Sequence, residues 1–157
     1  MTFRLFSNEL HDGGVLSTAH AFNGFGHQGE NRSPHLAWEG VPAGAKSLVL
    51  TMYDPDAPTG SGFWHWVVVD IPCQATELRA GAVPLPPGAR QTRTDLGTSG
   101  YVGAAPPPGA PHRYVFTLHA VALDALPVPD DASGALVGFF TNMNKIAEAS
   151  LTVRYGS

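Results

Sequence analysis

Two acidic residues and a histidine lie within one short segment, DPDAPTGSGFWHW, at residues 54–66. Asp54 and Asp56 supply carboxylates, and His65 supplies an imidazole that titrates close to neutral pH. A carboxylate beside an imidazole favours the charged imidazolium and fixes which ring nitrogen carries the proton. Such a group can bind an anion, hold a metal ion or transfer a proton, so this segment is the first candidate site.

The same residues also have ordinary structural roles. Asp54 and Asp56 can shape a turn by accepting local backbone N–H bonds. A single histidine on an apolar strand face is more often a satisfied core residue than a ligand group. Burying several ionisable groups together is costly unless they satisfy one another or a bound molecule, so their clustering favours a site.

Two predicted strands flank this segment. Residues 46–54 (KSLVLTMYD) alternate apolar side chains on two faces, and residues 65–72 (HWVVVDIP) are rich in β-branched residues and end at a proline. Sequential strands are usually neighbours, so an antiparallel pair would bring Asp54 and His65 to the same end of a sheet. His65 lies two residues before Val67 in this strand, so its ring is predicted to lie on the same apolar face of the sheet as Val67.

A third predicted strand, residues 112–123 (HRYVFTLHAVAL), begins with His112 and Tyr114. Its alternation places Tyr114 and Phe116 on one face and Val115 on the other, which indicates a largely buried strand. Periodicity does not decide whether His112 and Tyr114 reach the sheet end that holds Asp54.

The remaining pattern is typical of a mainly β chain with many turns, since it contains 18 glycines and 14 prolines. One helix is predicted from Leu136 to Ala147, where apolar residues recur at intervals of three and four after Asp130, Asp131 and Ser133. Residues 151–155 (LTVRY) alternate as a closing strand, so the helix is expected to be a crossover between strands.

A long segment without periodicity, residues 81–111, precedes the third strand and is rich in glycine and proline. A connection of this length in a compact domain is either a disordered linker or a functional loop. Because it carries Arg90, Arg93, Asp95 and Tyr101 and leads directly into a buried strand, we expect an ordered loop.

Composition and charge exclude several classes of protein. A length of 157 residues predicts a single domain over residues 1–157. The formal net charge is −4 and no run of lysine or arginine marks a nucleic-acid surface. No apolar stretch approaches the roughly 20 residues needed to cross a bilayer. The first residues lack the apolar segment of a signal peptide, so a cytoplasmic protein without a membrane span is expected.

Several longer motifs occur in a fixed order along the chain. They are SPHLAW (33–38), DPDAP (54–58), HWVVVDIP (65–72), QTRTDLGTSGY (91–101) and GYVGAAPPPGAPHRYVFTLHA (100–120). In order and spacing they resemble the phosphatidylethanolamine-binding, Raf-kinase-inhibitor-like family, and in particular its bacterial YbhB/YbcL branch. The likeness runs from Phe6 almost to the last residue.

The resemblance implies an antiparallel Greek-key β fold, with a large central sheet and a smaller sheet packed against it. It also implies a small pocket at the sheet end that binds anions such as phosphate, acetate or the phosphoethanolamine head group. Pro58, or another X-Pro bond in the loop, is a candidate for a cis peptide bond. The implied pocket residues are Asp54, Asp56, His65, His112 and Tyr114, with the backbone of residues 100–108, including Gly100, Gly103 and Pro106, as one wall.

Two positions depart from the family pattern. Members often have Gly-Pro where this chain has Gly103-Ala104, and many bacterial members have a histidine where Asn144 aligns. The first change is expected to loosen a pocket wall, and the second removes a polar neighbour. We also expect no counterpart of the additional C-terminal helix of eukaryotic members, which weakens any transfer of their kinase-inhibiting role.

Three functions follow from these residues. The first is a non-catalytic binding or regulatory protein, without a cofactor, whose pocket takes phosphate or phosphoethanolamine-type groups and loses affinity as pH rises through the histidine range. The second is a regulator that uses the same pocket to bind a phosphorylated protein or a kinase. The third, a metal-assisted hydrolase built on Asp54, His65 and His112, is less favoured because HExxH, GxSxG and phosphate-loop motifs are absent. The bacterial relatives also imply a homodimer.

Overall fold

The computed structural model describes residues 1–156, which form two antiparallel β-sheets and one α-helix. This architecture confirms the predicted fold class. The larger sheet has the strand order β6-β4-β3-β7-β8, and the smaller sheet has the order β1-β2-β5. The elements are β1 (Arg4–Phe6), a 3-10 helix (Thr18–His20), β2 (Leu36–Glu39), β3 (Ser47–Asp54), β4 (Phe63–Ile71), β5 (Glu77–Leu78), β6 (Arg90–Gln91), β7 (His112–Val121), α1 (Gly134–Asn144) and β8 (Lys145–Tyr155).

The main hydrophobic cluster lies between the two sheets. Leu48, Leu50 and Met52 of β3 face it together with Tyr114 and Phe116 of β7, as the alternation in these segments predicted. A second cluster covers the opposite face of the large sheet, where side chains of α1 and of the segment before it pack on the strands. Its buried members are Val49, Val67, Val69, Val121, Leu126, Val128, Ala132 and Val137.

A β-bulge in β4 changes the side of the sheet on which His65 lies. Tyr53 pairs with Trp64 and Met52 pairs with Trp66, so His65 is an extra residue without a partner on β3. Trp66 belongs to the main cluster, whereas Trp64 packs with Val67 in the second one. The predicted parity of His65 with Val67 is therefore wrong, because the bulge interrupts the alternation.

Helix α1 ends earlier than predicted. Ser133 caps its N-terminus by accepting a hydrogen bond from the backbone N–H of Leu136 at 3.1 Å. The helix stops at Asn144, and the next residue, Lys145, already pairs with Val121 of β7. Ile146 and Ala147, which fit the helical spacing, therefore belong to β8. Hydrogen bonding to β7 outweighs the local helical pattern of apolar residues. Each strand residue gains a partner in the sheet, and helix propensity alone determines the structure only weakly.

The segment at residues 81–111 is held by specific bonds. Arg90 pairs with Val69 in the sheet, and its guanidinium contacts the carboxylates of Asp70 (2.7 Å) and Asp130 (3.0 Å). The cis peptide bond among the described residues joins Val83 and Pro84 in this segment, rather than preceding Pro58. No helix in residues 1–156 is long and apolar enough to span a membrane.

Candidate functional site

A cavity of about 420 Å³ opens at the end of the large sheet where β3 ends and β4 and β7 begin. Its polar end is formed by Asp54, His65, His112 and Tyr114, so the structure brings together four of the residues singled out in the sequence. Gly103 and Pro106 also line it, on the wall made by the long loop. The rest of the lining is mostly apolar.

Asp54 is buried at the floor of the cavity and bonds His112. Its side chain is 3% exposed, and its Oδ2 accepts a hydrogen bond from Nδ1 of His112 at 2.8 Å. The other carboxylate oxygen, Oδ1, accepts from the backbone N–H of Asp56 at 2.8 Å. Since a carboxylate can only accept, Nδ1 of His112 carries the proton, and Nε2 is the nitrogen left for a ligand.

His65 is held by the loop instead of by a carboxylate. Its Nδ1 donates to the backbone oxygen of Val102 at 2.9 Å, and the N–H of Val102 donates back to the oxygen of His65 at 2.9 Å. Burial lowers the pKa of His65, although the bond to Val102 and the charge of Asp54 oppose the shift. The expectation that an adjacent acid favours the imidazolium of His65 is therefore wrong, because the acid bonds His112 and desolvation dominates.

Tyr114 adds a hydroxyl group to the polar end. Its side chain is fully buried, its ring lies edge-on to that of His65 with centroids 5.3 Å apart, and Oη has no hydrogen-bond partner in residues 1–156. Burial, the nearby charge of Asp54 and a side-chain interaction with its carboxylate raise the pKa of Tyr114, so the hydroxyl stays protonated. A buried hydroxyl without a well-formed bond is costly, so Tyr114 is a donor that either the carboxylate of Asp54 or a ligand can use.

The loop wall is fixed from behind by Asn31. The N–H of Gly103 donates to Oδ1 of Asn31 at 2.7 Å. A Cβ on Gly103 would lie 2.5 Å from the backbone of Ala21 and His20, so the wall approaches this layer too closely for any side chain. Ala104 is fully buried, and its backbone oxygen accepts a hydrogen bond from the N–H of Phe22 at 2.8 Å.

Three residues highlighted by the sequence lie outside the cavity lining. Asp56 bonds the guanidinium of Arg113 at 2.9 and 3.0 Å, and these hydrogen bonds lower the pKa of Asp56 to about 2. Gly100 lies in a separate groove beside Asn31. Asn144 ends helix α1, where its Nδ2 donates to the backbone oxygen of Phe140. Because Asp56 bonds Arg113, the second residue of β7, it supports the site by holding the start of that strand.

Most of the apolar lining outside the wall of residues 100–108 was not predicted from the sequence. These residues lie in segments without a period, and only the glycine-rich FNGFG run at residues 22–26 signals an unusual turn. Within residues 1–156, no three His, Cys, Asp or Glu side chains are grouped so that they could hold a metal ion. The missed lining residues are Phe22, Phe25, Ala57, Pro58, Thr59, Phe63 and Leu96.

Comparisons with known proteins agree with this fold. Residues 6–156 match the family model described as phosphatidylethanolamine-binding protein. The chain is 53% identical over 156 residues to the UPF0098 protein YbhB of Escherichia coli, covering 97% of this chain and 99% of that protein. It is 50% identical over 159 residues to E. coli YbcL, covering 98% of this chain and 87% of that protein.

Solved structures give the same result. The crystal structure of E. coli YbcL superposes with a TM-score of 0.96 at 48% identity, covering 100% of this chain and 99% of that chain. A phosphatidylethanolamine-binding protein homologue from Chlamydia trachomatis, CT736, superposes with a TM-score of 0.86 at 28% identity, covering 99% of this chain and 98% of that chain.

Proposed function

The chain belongs to the phosphatidylethanolamine-binding protein family, and from this premise we propose that its cavity binds the phosphate group of a small ligand. Membership of the family supports a binding or regulatory protein in general. The more specific proposal, that the ligand carries a phosphate group, depends on the chemistry of the polar end of the cavity.

The observation that carries the proposal is a set of three groups at the polar end of the cavity that keep hydrogen-bonding capacity for a ligand. Nδ1 of His65 and Nδ1 of His112 are both bonded to the protein, which leaves Nε2 of each ring. The hydroxyl of Tyr114 has no partner in residues 1–156. A tetrahedral phosphate offers several oxygens around one centre, so it can bond all three groups at once.

The donors and acceptors suit a phosphate. Tyr114 donates, and His112 presents Nε2 to the phosphate while the carboxylate of Asp54 holds Nδ1 of the ring from behind. Neutral His65 accepts from the P–OH of a phosphate monoanion, or donates to an oxygen when it is protonated. Both oxygens of Asp54 are already bonded, which favours a role in orienting His112 over direct contact with the amine of a zwitterionic head group.

A non-catalytic role fits the same groups better than hydrolysis does. Asp54 is engaged on both oxygens, and within residues 1–156 no hydroxyl or thiol is bonded to either imidazole. A phosphorylated side chain of a partner protein presents the same phosphate group as a free metabolite or a lipid head group. The proposal therefore names the phosphate, and the source of that phosphate is decided by experiment.

Calorimetric titration tests the proposal. The probes are inorganic phosphate, O-phosphoethanolamine and a phosphoserine-containing peptide, titrated into the wild-type protein, His112→Gln and the control His11→Gln, which alters an exposed histidine away from the cavity. We expect phosphate affinity to fall at least about tenfold in His112→Gln, since a charge-assisted bond is lost. The control should keep its affinity.

Two outcomes would contradict the proposal: no heat of binding for any probe, or equal affinity in His112→Gln and the wild type. If phosphate binding is found, the ranking of the three probes separates the free anion from the head group and from the phosphorylated side chain.

A further inference from the structure

Phe25 lies at the mouth of the cavity in an unusual conformation. Its side chain lines the cavity although the residue is 75% exposed. It occupies a β-turn from Gly24 to His27, closed by a 3.0 Å bond from the N–H of His27 to the oxygen of Gly24. Phe25 and Gly26 both have positive φ, 53° and 86°. Turns of this kind favour asparagine or glycine at the first of these positions, and a bulky aromatic residue there is strained.

The protein itself gains little from an aromatic residue at this position. An exposed phenyl ring buries little apolar area, and the left-handed backbone disfavours it. Its neighbour Phe22 stacks on it with centroids 5.6 Å apart and an interplanar angle of 28°. Strained residues persist where the surrounding structure compels them, and they concentrate at ligand-binding sites. The strain at Phe25 therefore points to a ligand contact.

The turn is also fixed to the opposite wall of the cavity. Nε2 of His27 donates to the backbone oxygen of Pro106 at 2.8 Å, and Pro106 lines the cavity. This bond ties the turn that carries Phe25 to the loop. The backbone of Phe25 is therefore held at the rim of the cavity.

The cavity has more room than a phosphate ion needs. Its volume of about 420 Å³ lies in the range, roughly 300–1,000 Å³, of cavities that hold drug-sized molecules. A phosphate ion has only five heavy atoms and occupies the polar end alone. The remaining space is lined by Phe22, Phe25, Phe63 and a run of prolines, which offer no charge to a polar substituent.

We propose that the cavity selects phosphate monoesters with a flat apolar substituent, such as an aryl phosphate, and that Phe25 is the residue that sets this selectivity. This inference rests on the proposed phosphate site. The phosphate bonds the polar end, and the substituent extends along the apolar walls and stacks against Phe25. The polar chain of phosphoethanolamine gains nothing from these walls, so it binds no better than inorganic phosphate.

The test measures selectivity by calorimetry with inorganic phosphate, O-phosphoethanolamine and phenyl phosphate. Aromatic stacking contributes enough for phenyl phosphate to bind the wild-type protein roughly tenfold more tightly than inorganic phosphate. In Phe25→Asn, which suits the turn, we expect this ratio to fall and the melting temperature to rise. The control Phe139→Gln removes an exposed phenylalanine from helix α1, away from the cavity, and should keep the wild-type ratio.

The outcomes separate this inference from the function on which it rests. If wild-type protein binds none of the three probes, the phosphate site itself is wrong. If it binds inorganic phosphate and phenyl phosphate with equal affinity, or if Phe25→Asn keeps the wild-type ratio, only the aryl selectivity is overturned. A lower ratio in both Phe25→Asn and Phe139→Gln would also overturn it, since the effect would then not be local to the rim.

Discussion

Asp54 and His112, at the end of β3 and the start of β7, form the only ion pair in residues 1–156 that lies on the floor of the cavity. Their 2.8 Å bond fixes the imidazole of His112 from behind. His65, nearer to Asp54 along the chain, bonds a backbone carbonyl instead. The two histidines therefore reach the cavity with different partners on Nδ1, a carboxylate and a backbone carbonyl, and this difference leads to the first two predictions.

Replacing Asp54 by asparagine should weaken both the fold and the site. The two oxygens of Asp54 accept from His112 and from the N–H of Asp56, and an asparagine would turn its NH₂ group toward one of these donors. We expect a loss of about 1–3 kcal/mol in the free energy of unfolding. Phosphate affinity should also fall because His112 loses its counter-charge. Urea unfolding and calorimetry measure the two effects, and unchanged phosphate affinity would contradict the assigned role of Asp54.

Anion affinity should rise as pH falls below the ordinary histidine range. Because burial lowers the pKa of His65, this ring becomes charged only below about pH 6.5, and a bound anion favours the charged form. Sulfate is the suitable probe, since its own charge does not change between pH 5 and 8. We expect tighter sulfate binding at pH 5 than at pH 7.5, with a smaller increase in His65→Gln. The same increase in both proteins would assign the effect to another group.

His119 should make the fold less stable in acid. Its ring is largely buried and burial lowers its pKa to about 4, while Glu148 opposes the shift. The unfolded chain, with a value near 6.5, therefore takes up the proton first, so stability is full above pH 6.5 and is lost as pH falls toward 4. We expect a loss on the order of 2 kcal/mol over this range.

Urea unfolding from pH 4 to 7 measures this loss. His119→Gln should show a shallower decline than the wild type, and the exposed-histidine control His11→Gln should follow the wild type. Parallel curves for wild type and His119→Gln would show that the decline has another origin.

Arg90 should stabilise the fold far more than an exposed arginine does. It bonds the carboxylates of Asp70 and Asp130 and the backbone oxygens of Val128 and Leu126. Removing it leaves the largely buried carboxylate of Asp70 without its cation. We expect Arg90→Ala to lower the free energy of unfolding by about 2–4 kcal/mol.

The matched control is Arg4→Ala, which breaks an exposed pair with Glu39 and should cost less than about 1 kcal/mol. Urea unfolding compares the two variants. Equal losses would mean that the Arg90 network contributes no more than a surface ion pair.

Two glycine-to-alanine changes should have opposite effects. A Cβ at Gly103 would meet backbone atoms at 2.5 Å, so Gly103→Ala must displace the loop wall and should reduce both stability and phosphate affinity. Gly138, within helix α1, has no atom within 4 Å of its added Cβ, and alanine there should stabilise by about 0.5–1 kcal/mol. Thermal melts and calorimetry check both variants. A Gly103→Ala protein as stable as the wild type would contradict the close approach.

The sequence predicted those features that depend on local periodicity. The alternation correctly placed Leu48 with Met52 on one face of β3 and Tyr114 with Phe116 on one face of β7, because period-two burial is visible within each strand. Helix α1 was also found from its spacing. Its C-terminus was not, since pairing of Lys145 with Val121 depends on a strand that is distant in sequence.

The candidate site needed more than periodicity. Strand order suggested that Asp54 and His65 meet, but the bond from Asp54 to His112 joins residues 58 positions apart, and only the family resemblance brought them together. The bulge at His65 could not be found from alternation, because alternation assumes a regular ladder. Phe25 was missed for a related reason, since its importance lies in a backbone conformation that the residue type disfavours.

The bulge in β4 means that the position of His65 depends on the number of residues in the strand as well as on their identity, because one extra residue turns His65 toward the cavity. A substitution at Trp64 leaves the extra residue in place, so a scan of substitutions would not reveal this requirement. Deleting Trp64 would bring His65 opposite Tyr53, restore the regular ladder and turn the imidazole to the side of Val67. Among relatives, conservation of the spacing between the DPDAP and HWVVVDIP motifs is therefore as informative about the site as conservation of the histidine itself.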